Sequence, residues 1–264
     1  MLKLQESGTE RKLRYDMSVN NVAKIMTYVN PISVYGCEHL VINETTFYKD
    51  SCVVCGKCCI HEDLIFLPFE VDNMHDIISG KVKIGKEHLG GTVDNIKELV
   101  ESLVPINVDV YGKDKLLYKS RLPYNTYEFA DRGVLNRCHW DIPVGDGKLG
   151  CGIHLVSSLT CKFPHIRFNY RADKKTTHIG LMQYGRNWAL KCPIVFDKTF
   201  YPETVQNVIS KFELLSKYCD YFEVENHCQL IIDTLSMVKT EEDIQKVTGK
   251  DILNQQKSRR LFNV

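Results

Sequence analysis

The chain has 264 residues, of which 44% are apolar and 25% charged, and its formal net charge at pH 7 is +1. That composition suits one large domain, or a domain with an appendage, and rules out a disordered chain. A charge so near zero supplies no global field to recruit nucleic acid or an anionic membrane, so neither partner is expected. The basic run from Lys257 to Arg260 reads as a solvated face.

The N-terminal stretch MLKLQESGTERKLR lacks the apolar core of a secretory signal. The longest greasy run, LIFLPF at 64–69, is far short of the roughly 20 residues a membrane span needs. A cytoplasmic protein without a membrane partner is the expectation. In that compartment disulfides rarely persist, so the eleven cysteines call for another explanation.

Residues 1–16 read as a polar leader. Ser18 caps a short helix through Tyr28, ended by Asn30-Pro31. Residues 40–49 alternate weakly, as a strand does. The stretch SCVVCGKCC at 51–59 follows as a loop, with Gly56 permitting a tight backbone. An extended piece and then a helix from Glu70 to Ser79 come next, with Gly80 just past its end. Residues 81–91 are rich in Gly and Lys and read as a loop or flexible hairpin. Thr92 caps a helix over 92–104, with Val93, Ile96, Leu99, Val100 and Leu103 at helical spacing.

Strand character returns over 106–119, with a hairpin turn at Gly112-Lys113-Asp114. A turn within VGDGKLG, 144–150, folds the segment carrying Cys138 back toward the one carrying Cys151. The stretch HIRFNYRADKKTTHIGLMQY forms a further hairpin, tipped by Ala172 to Lys175. After Cys192-Pro193 the composition turns helical: 203–219, 226–238, and a segment opened by the capping pattern of Thr240 and Asp243. Cys219 and Cys228 in this region read as core or surface thiols, not ligands. The expected architecture is α+β. A loop-rich cysteine-cluster domain over 1–200, with small hairpins and surrounding helices, precedes a helical C-terminal appendage over 201–264.

Cys52, Cys55, Cys58 and Cys59 fall within nine positions. Thiolates are strong ligands for zinc and for iron–sulfur clusters, and C-x2-C lets two sulfurs reach one metal from one tight turn. The triple C-x2-C-x2-C is the spacing of ferredoxin-type loops, in which a distant cysteine followed by proline completes a [4Fe–4S] cluster. This chain offers Cys192-Pro193. Adjacent cysteines point to opposite sides of an extended chain, so Cys58 and Cys59 suit two different metals, or one is spare. Cys138, Cys151 and Cys161 bring the set to eight, enough for two four-ligand sites or for one cluster with extra thiols. Spacing alone leaves iron–sulfur and Zn2+ open. Buried thiols are the plainer alternative, but the charged surroundings of Lys57, His61, Glu62 and Asp63 are unlike core packing. His61 and His139 lie beside the motif as possible substitute ligands or orienting donors.

The order CVVCGKCC, CHW at 138–140, CGIH at 151–154, CKFP at 161–164 and WALKCP at 188–193 resembles the CxxCxxCC proteins, described as zinc- or iron-chelating domains. The resemblance covers about residues 50–195. Ser158-Leu159 stands where that family carries Arg-Pro, and His154 where it carries tyrosine. The resemblance implies metal ligation by the eight cysteines. Through distant likeness to flagellin lysine-N-methylases, it also implies a redox or protein-modification role, such as a protein lysine N-methyltransferase-like activity, with a protein partner. The other reading is a structural zinc module that mediates a protein–protein contact. No phosphate loop, HExxH, GxSxG or dinucleotide fingerprint is present, so no catalytic residue is assigned.

Overall fold

The computed structural model describes residues 25–26, 29, 37–51, 64–83, 92–122, 125–129, 133–145, 148–162, 166–181 and 195–254. These fall into two compact units. The first is drawn from segments 59–145 and 149–158, and the second from 25–58, 146–148 and 159–264. Both contain helices and sheets, and the fold is α+β.

In the first unit, helix α1 (Pro68–Ile78) starts two residues before the expected Glu70 because Pro68 takes the first helical position. The Glu70 carboxylate closes that end by accepting a hydrogen bond from the Leu67 backbone N–H at 2.9 Å. Helix α2 (Val93–Ser102) is capped by Thr92, whose hydroxyl accepts from the Asn95 N–H. It stops short of 104 because Leu103 already belongs to a strand. Ile96 and Leu99 on its inner face are fully buried, worth about 1.5–3 kcal/mol each.

These helices pack on a three-stranded sheet in the order β3 (Ile65–Phe66), β5 (Lys113–Ser120), β4 (Leu103–Val110). Strands β4 and β5 form the expected hairpin, with the turn one residue earlier than the sequence suggested. Tyr111 and Gly112 both take positive φ, 54° and 79°, the pattern of a two-residue turn that matches strand twist. Two pairs complete this part of the chain. Strands β6 (Asn125–Phe129) and β7 (Gly133–Arg137) were not anticipated from the sequence. Strands β8 (Asp141–Gly145) and β9 (Lys148–Cys151) are the arms of the turn expected at 144–150.

The second unit is built on pairings between distant segments. Strand β1 (His39–Ile42) runs parallel to β11 (Thr176–Leu181), which pairs antiparallel with β10 (Ile166–Arg171). The β10–β11 hairpin has the expected tip, where Lys175 adopts a left-handed φ of 46°. The strand expected over 40–49 is split in two by a 3-10 turn over Glu44–Phe47. Its second part, β2 (Lys49–Ser51), leaves that sheet and pairs with β12 (Val195–Asp197). The turn buries Thr46 and Phe47, and the Thr46 hydroxyl donates to the Ile179 carbonyl at 3.0 Å.

Helices α4 (Pro202–Phe222), α5 (Cys228–Ser236) and α6 (Glu241–Val247) belong to this same unit, after the short α3 (Leu159–Lys162). Phe212 of α4 meets Phe168 of β10 edge to face, with ring centroids 6.2 Å apart. After α6, Gly249 donates its N–H to the Ile42 carbonyl, and Asp251 forms a bridge to Val41. The Asp251 carboxylate accepts from His39 Nδ1 at 2.6 Å and from the Leu40 N–H at 3.2 Å. The end of the described chain is thereby pinned to the edge of β1. Of the helix expected from Ser18, Ile25, Met26 and Val29 are described, all helical and buried. The leader over 1–16 and the loop over 52–59 lie outside the described residues.

Gly180 faces this turn so closely that a Cβ there would sit 2.5 Å from Thr45 Oγ1 and 3.2 Å from Asn43. Gly180→Ala is expected to destabilise the protein by about 1–3 kcal/mol, read from the urea midpoint. A pH effect follows from His178, whose Nδ1 lies 3.0 Å from Asn43 Oδ1. Burial, and then the charges of Arg171 and Lys174, hold its imidazole below the ordinary histidine value. The unfolded chain therefore takes up this proton first. The contribution is complete above the ordinary value near 6.5 and declines as pH falls through it. His227, lowered by burial against the opposing Glu225 carboxylate, acts in the same direction. Urea midpoints are expected to fall between pH 7.5 and 5.5, and His178→Gln to remove part of that fall.

Candidate metal centre

Cys138, Cys151 and Cys161 are described, and each is half-buried. Cys52, Cys55, Cys58, Cys59 and Cys192, together with His61, lie outside the described residues. Among the described residues, no three metal-ligating side chains come together.

Cys138 and Cys151 stand at the two open ends of the β8–β9 hairpin. Its base is closed by the Gly152 N–H donating to the Trp140 carbonyl at 2.7 Å. The turn motif thus returns the chain as the sequence indicated. Helix α2 holds this base from one side. Asn95 Nδ2 donates to the Gly152 carbonyl at 2.9 Å, and the Glu98 carboxylate lies 3.3 Å from His139 Nε2. The His139 ring stands edge-on to Trp140, with centroids 4.9 Å apart. Trp140 is 3% exposed, and its indole N–H has no hydrogen-bond partner among the described residues. Thiols and imidazoles are donor types that suit a soft or borderline metal, but these residues are not drawn together into one ligand group. Asn95, Glu98 and Gly152 were not legible as neighbours of this hairpin. They lie about forty residues or more from Cys138 or act through a backbone carbonyl, and no sequence signal marks them.

Cys161 sits in α3, within the second unit. That unit also contains the β2–β12 ladder, in which Ser51 pairs with Val195, Asp50 with Phe196 and Lys49 with Asp197. Charged and aromatic groups brace its base. Lys49 Nζ lies 4.7 Å above the Tyr201 ring, and Lys198 Nζ lies 6.0 Å from the Tyr48 ring centre. Tyr201 Oη donates to Asp197 Oδ2 at 2.8 Å, and the Thr199 N–H donates to Oδ1 at 2.9 Å. Bonds from Thr199, and then the Tyr201 hydroxyl, hold the Asp197 carboxyl below its ordinary range. The same bond to Asp197 raises the Tyr201 phenol.

Comparison with family models, curated proteins and solved structures found no match for this chain.

A Cβ at position 152 would lie 2.9 Å from Asn95 Nδ2 and 3.4 Å from Trp140 Cε3. Gly152→Ala is therefore expected to break the Asn95 bond and cost about 1–3 kcal/mol in a urea titration. Asn95→Ala, which removes the bond without the clash, is expected to cost less.

Proposed function

We propose that the chain is a metal-binding cysteine-cluster protein in which Cys52, Cys55, Cys58 and Cys192 hold an iron–sulfur centre. The proposal adopts the resemblance to the CxxCxxCC proteins. A redox or protein-modification role follows from that resemblance, and the triple C-x2-C-x2-C spacing favours a cluster over a single zinc ion.

The observation that carries this reading is the pairing of Ser51 with Val195. Cys52 follows Ser51 directly, and Cys192 precedes Val195 by three residues. Paired strand positions lie roughly 5 Å apart. Along the sequence the two cysteines are one and three residues beyond that same end of the ladder. Segments some 140 residues apart in the chain are thus tethered at one ladder end, as a ligand set drawn from both requires. Cys138 and Cys151 supply a second pair of thiol donors. Were they to ligate metal, Glu98 would serve His139 as the orienting carboxylate that metal-binding histidines commonly have.

When bound, such a cluster supplies one-electron chemistry, and its binding energy becomes folding energy for the cysteine run. Protein purified without oxygen is expected to be brown, to contain iron and sulfide, and to bleach in air. Cys55→Ser is expected to lose most of that iron, whereas Cys219→Ser keeps it. Colourless protein with stoichiometric zinc would instead establish the structural zinc module, and equal iron in wild type and Cys55→Ser would remove the ligand assignment.

A further inference from the structure

A different pair of thiols lies in the second unit, where α4 and α5 meet. Cys219 is in the last turn of α4 and Cys228 is the first residue of α5. Their sulfurs are 3.8 Å apart. Both are buried, at 0% and 3% exposure. The Cys219 thiol also lies 3.3 Å from the Val29 carbonyl, as donor to it. A disulfide needs about 2.05 Å between sulfurs. Bond formation therefore needs the sulfurs to approach by about 1.7 Å.

We propose that Cys219 and Cys228 form an oxidation site, at which a low-molecular-weight disulfide such as oxidised glutathione converts the two thiols into a disulfide joining α4 to α5. One protein sulfur, as thiolate, attacks a glutathione sulfur, forms a mixed disulfide and releases one glutathione thiol. The second protein thiol loses its proton, attacks the bonded protein sulfur and expels the second glutathione. The protein gives up two electrons and two protons, and oxidised glutathione becomes two reduced molecules.

The surroundings make the reaction conditional on opening. Both residues are buried, and the hydrogen bond with Cys219, then burial, hold the Cys228 thiol above its ordinary value. Asn226 ties the loop between the helices to both of them. Its Nδ2 donates to Ser216 Oγ at 2.7 Å and to Asp220 Oδ1 at 3.1 Å, while its Oδ1 accepts from the Cys228 N–H at 3.0 Å. Fluctuation of the first turn of α5 is the route by which the oxidant enters. Once formed, the bond restrains that same turn, so the pair registers oxidant and stiffens the α4–α5 hairpin in one step.

The experiment uses the full chain in glutathione buffers ranging from fully reduced to fully oxidised, followed by acid quench, alkylation and digestion. Trypsin leaves both cysteines in one peptide, 218–239. Under oxidation this peptide is expected to be about 2 Da lighter and unalkylated, and dithiothreitol should restore it. The midpoint of thermal unfolding is expected to rise by about 5 °C on oxidation. Asn226→Ala, which keeps both thiols, should form the bond several-fold faster. Cys228→Ala should show neither the light peptide nor the shift. Full alkylation of both sulfurs after incubation in fully oxidised buffer with urea below the unfolding midpoint would overturn the proposal. So would glutathione remaining on either sulfur, or a bond from either to another cysteine. The peptide masses are independent of metal content, and the Cys228→Ala control separates any metal-linked change in the thermal midpoint from that of the Cys219–Cys228 bond.

Discussion

Pairing between strands far apart in the chain is the constraint on which the second unit rests. Strand β1 takes its partner from 176–181, and β2 takes its partner from 195–197. Closing loops of that length costs entropy before any contact is gained. The return comes from the apolar groups the pairing brings together. Leu40, Ile42, Phe47, Ile179 and Phe212 are all at most 1% exposed. The 3-10 turn over Glu44–Phe47 makes both pairings possible from one short segment. It redirects the chain from one sheet to the other, and the absence of a side chain at Gly180 lets it lie close against β11.

The same constraint bears on the chemistry. A four-sulfur site drawn from positions as separated as 52 and 192 needs the chain held at both approaches, or the ligands pay the full cost of loop closure on binding. For the proposed site, the ladder between β2 and β12, braced by Lys49, Asp197 and Tyr201, would be that restraint, made of ordinary backbone hydrogen bonds and cation–π contact. In the first unit a local device joins two other cysteine-bearing segments. The β8–β9 hairpin returns Cys151 toward Cys138, and α2 anchors its base through Asn95.

The described thiols divide by environment. Cys138, Cys151 and Cys161 are half-buried beside hairpin ends or a short helix, whereas Cys37, Cys219 and Cys228 are buried. Metal-binding thiols have to shed protons and reach a common point. Buried thiols in apolar surroundings pack as small apolar groups. Contact between Cys219 and Cys228 sets them apart from simple packing. It is a property of how α4 and α5 meet, not of either residue's immediate sequence.

Local pattern by itself determined much of this protein. The helical spacing of Ile96 and Leu99, the cap at Thr92, the Gly112 turn, the tip at Lys175 and the helices after Pro202 act over a few residues, and each was readable in the sequence. The α+β class followed from them, and the cysteine spacing alone raised metal chemistry. Only the tertiary structure decided which distant segments meet. The parallel partner of β1, the splitting of the strand expected over 40–49, the anchoring of Asp251 against His39 and the approach of Asn95 and Glu98 to the β8–β9 hairpin all depend on long-range packing. The reason is physical. Turn and helix preferences are fixed by sterics and hydrogen bonds within one or two turns of chain, whereas strand partners are chosen by the burial that the whole fold achieves.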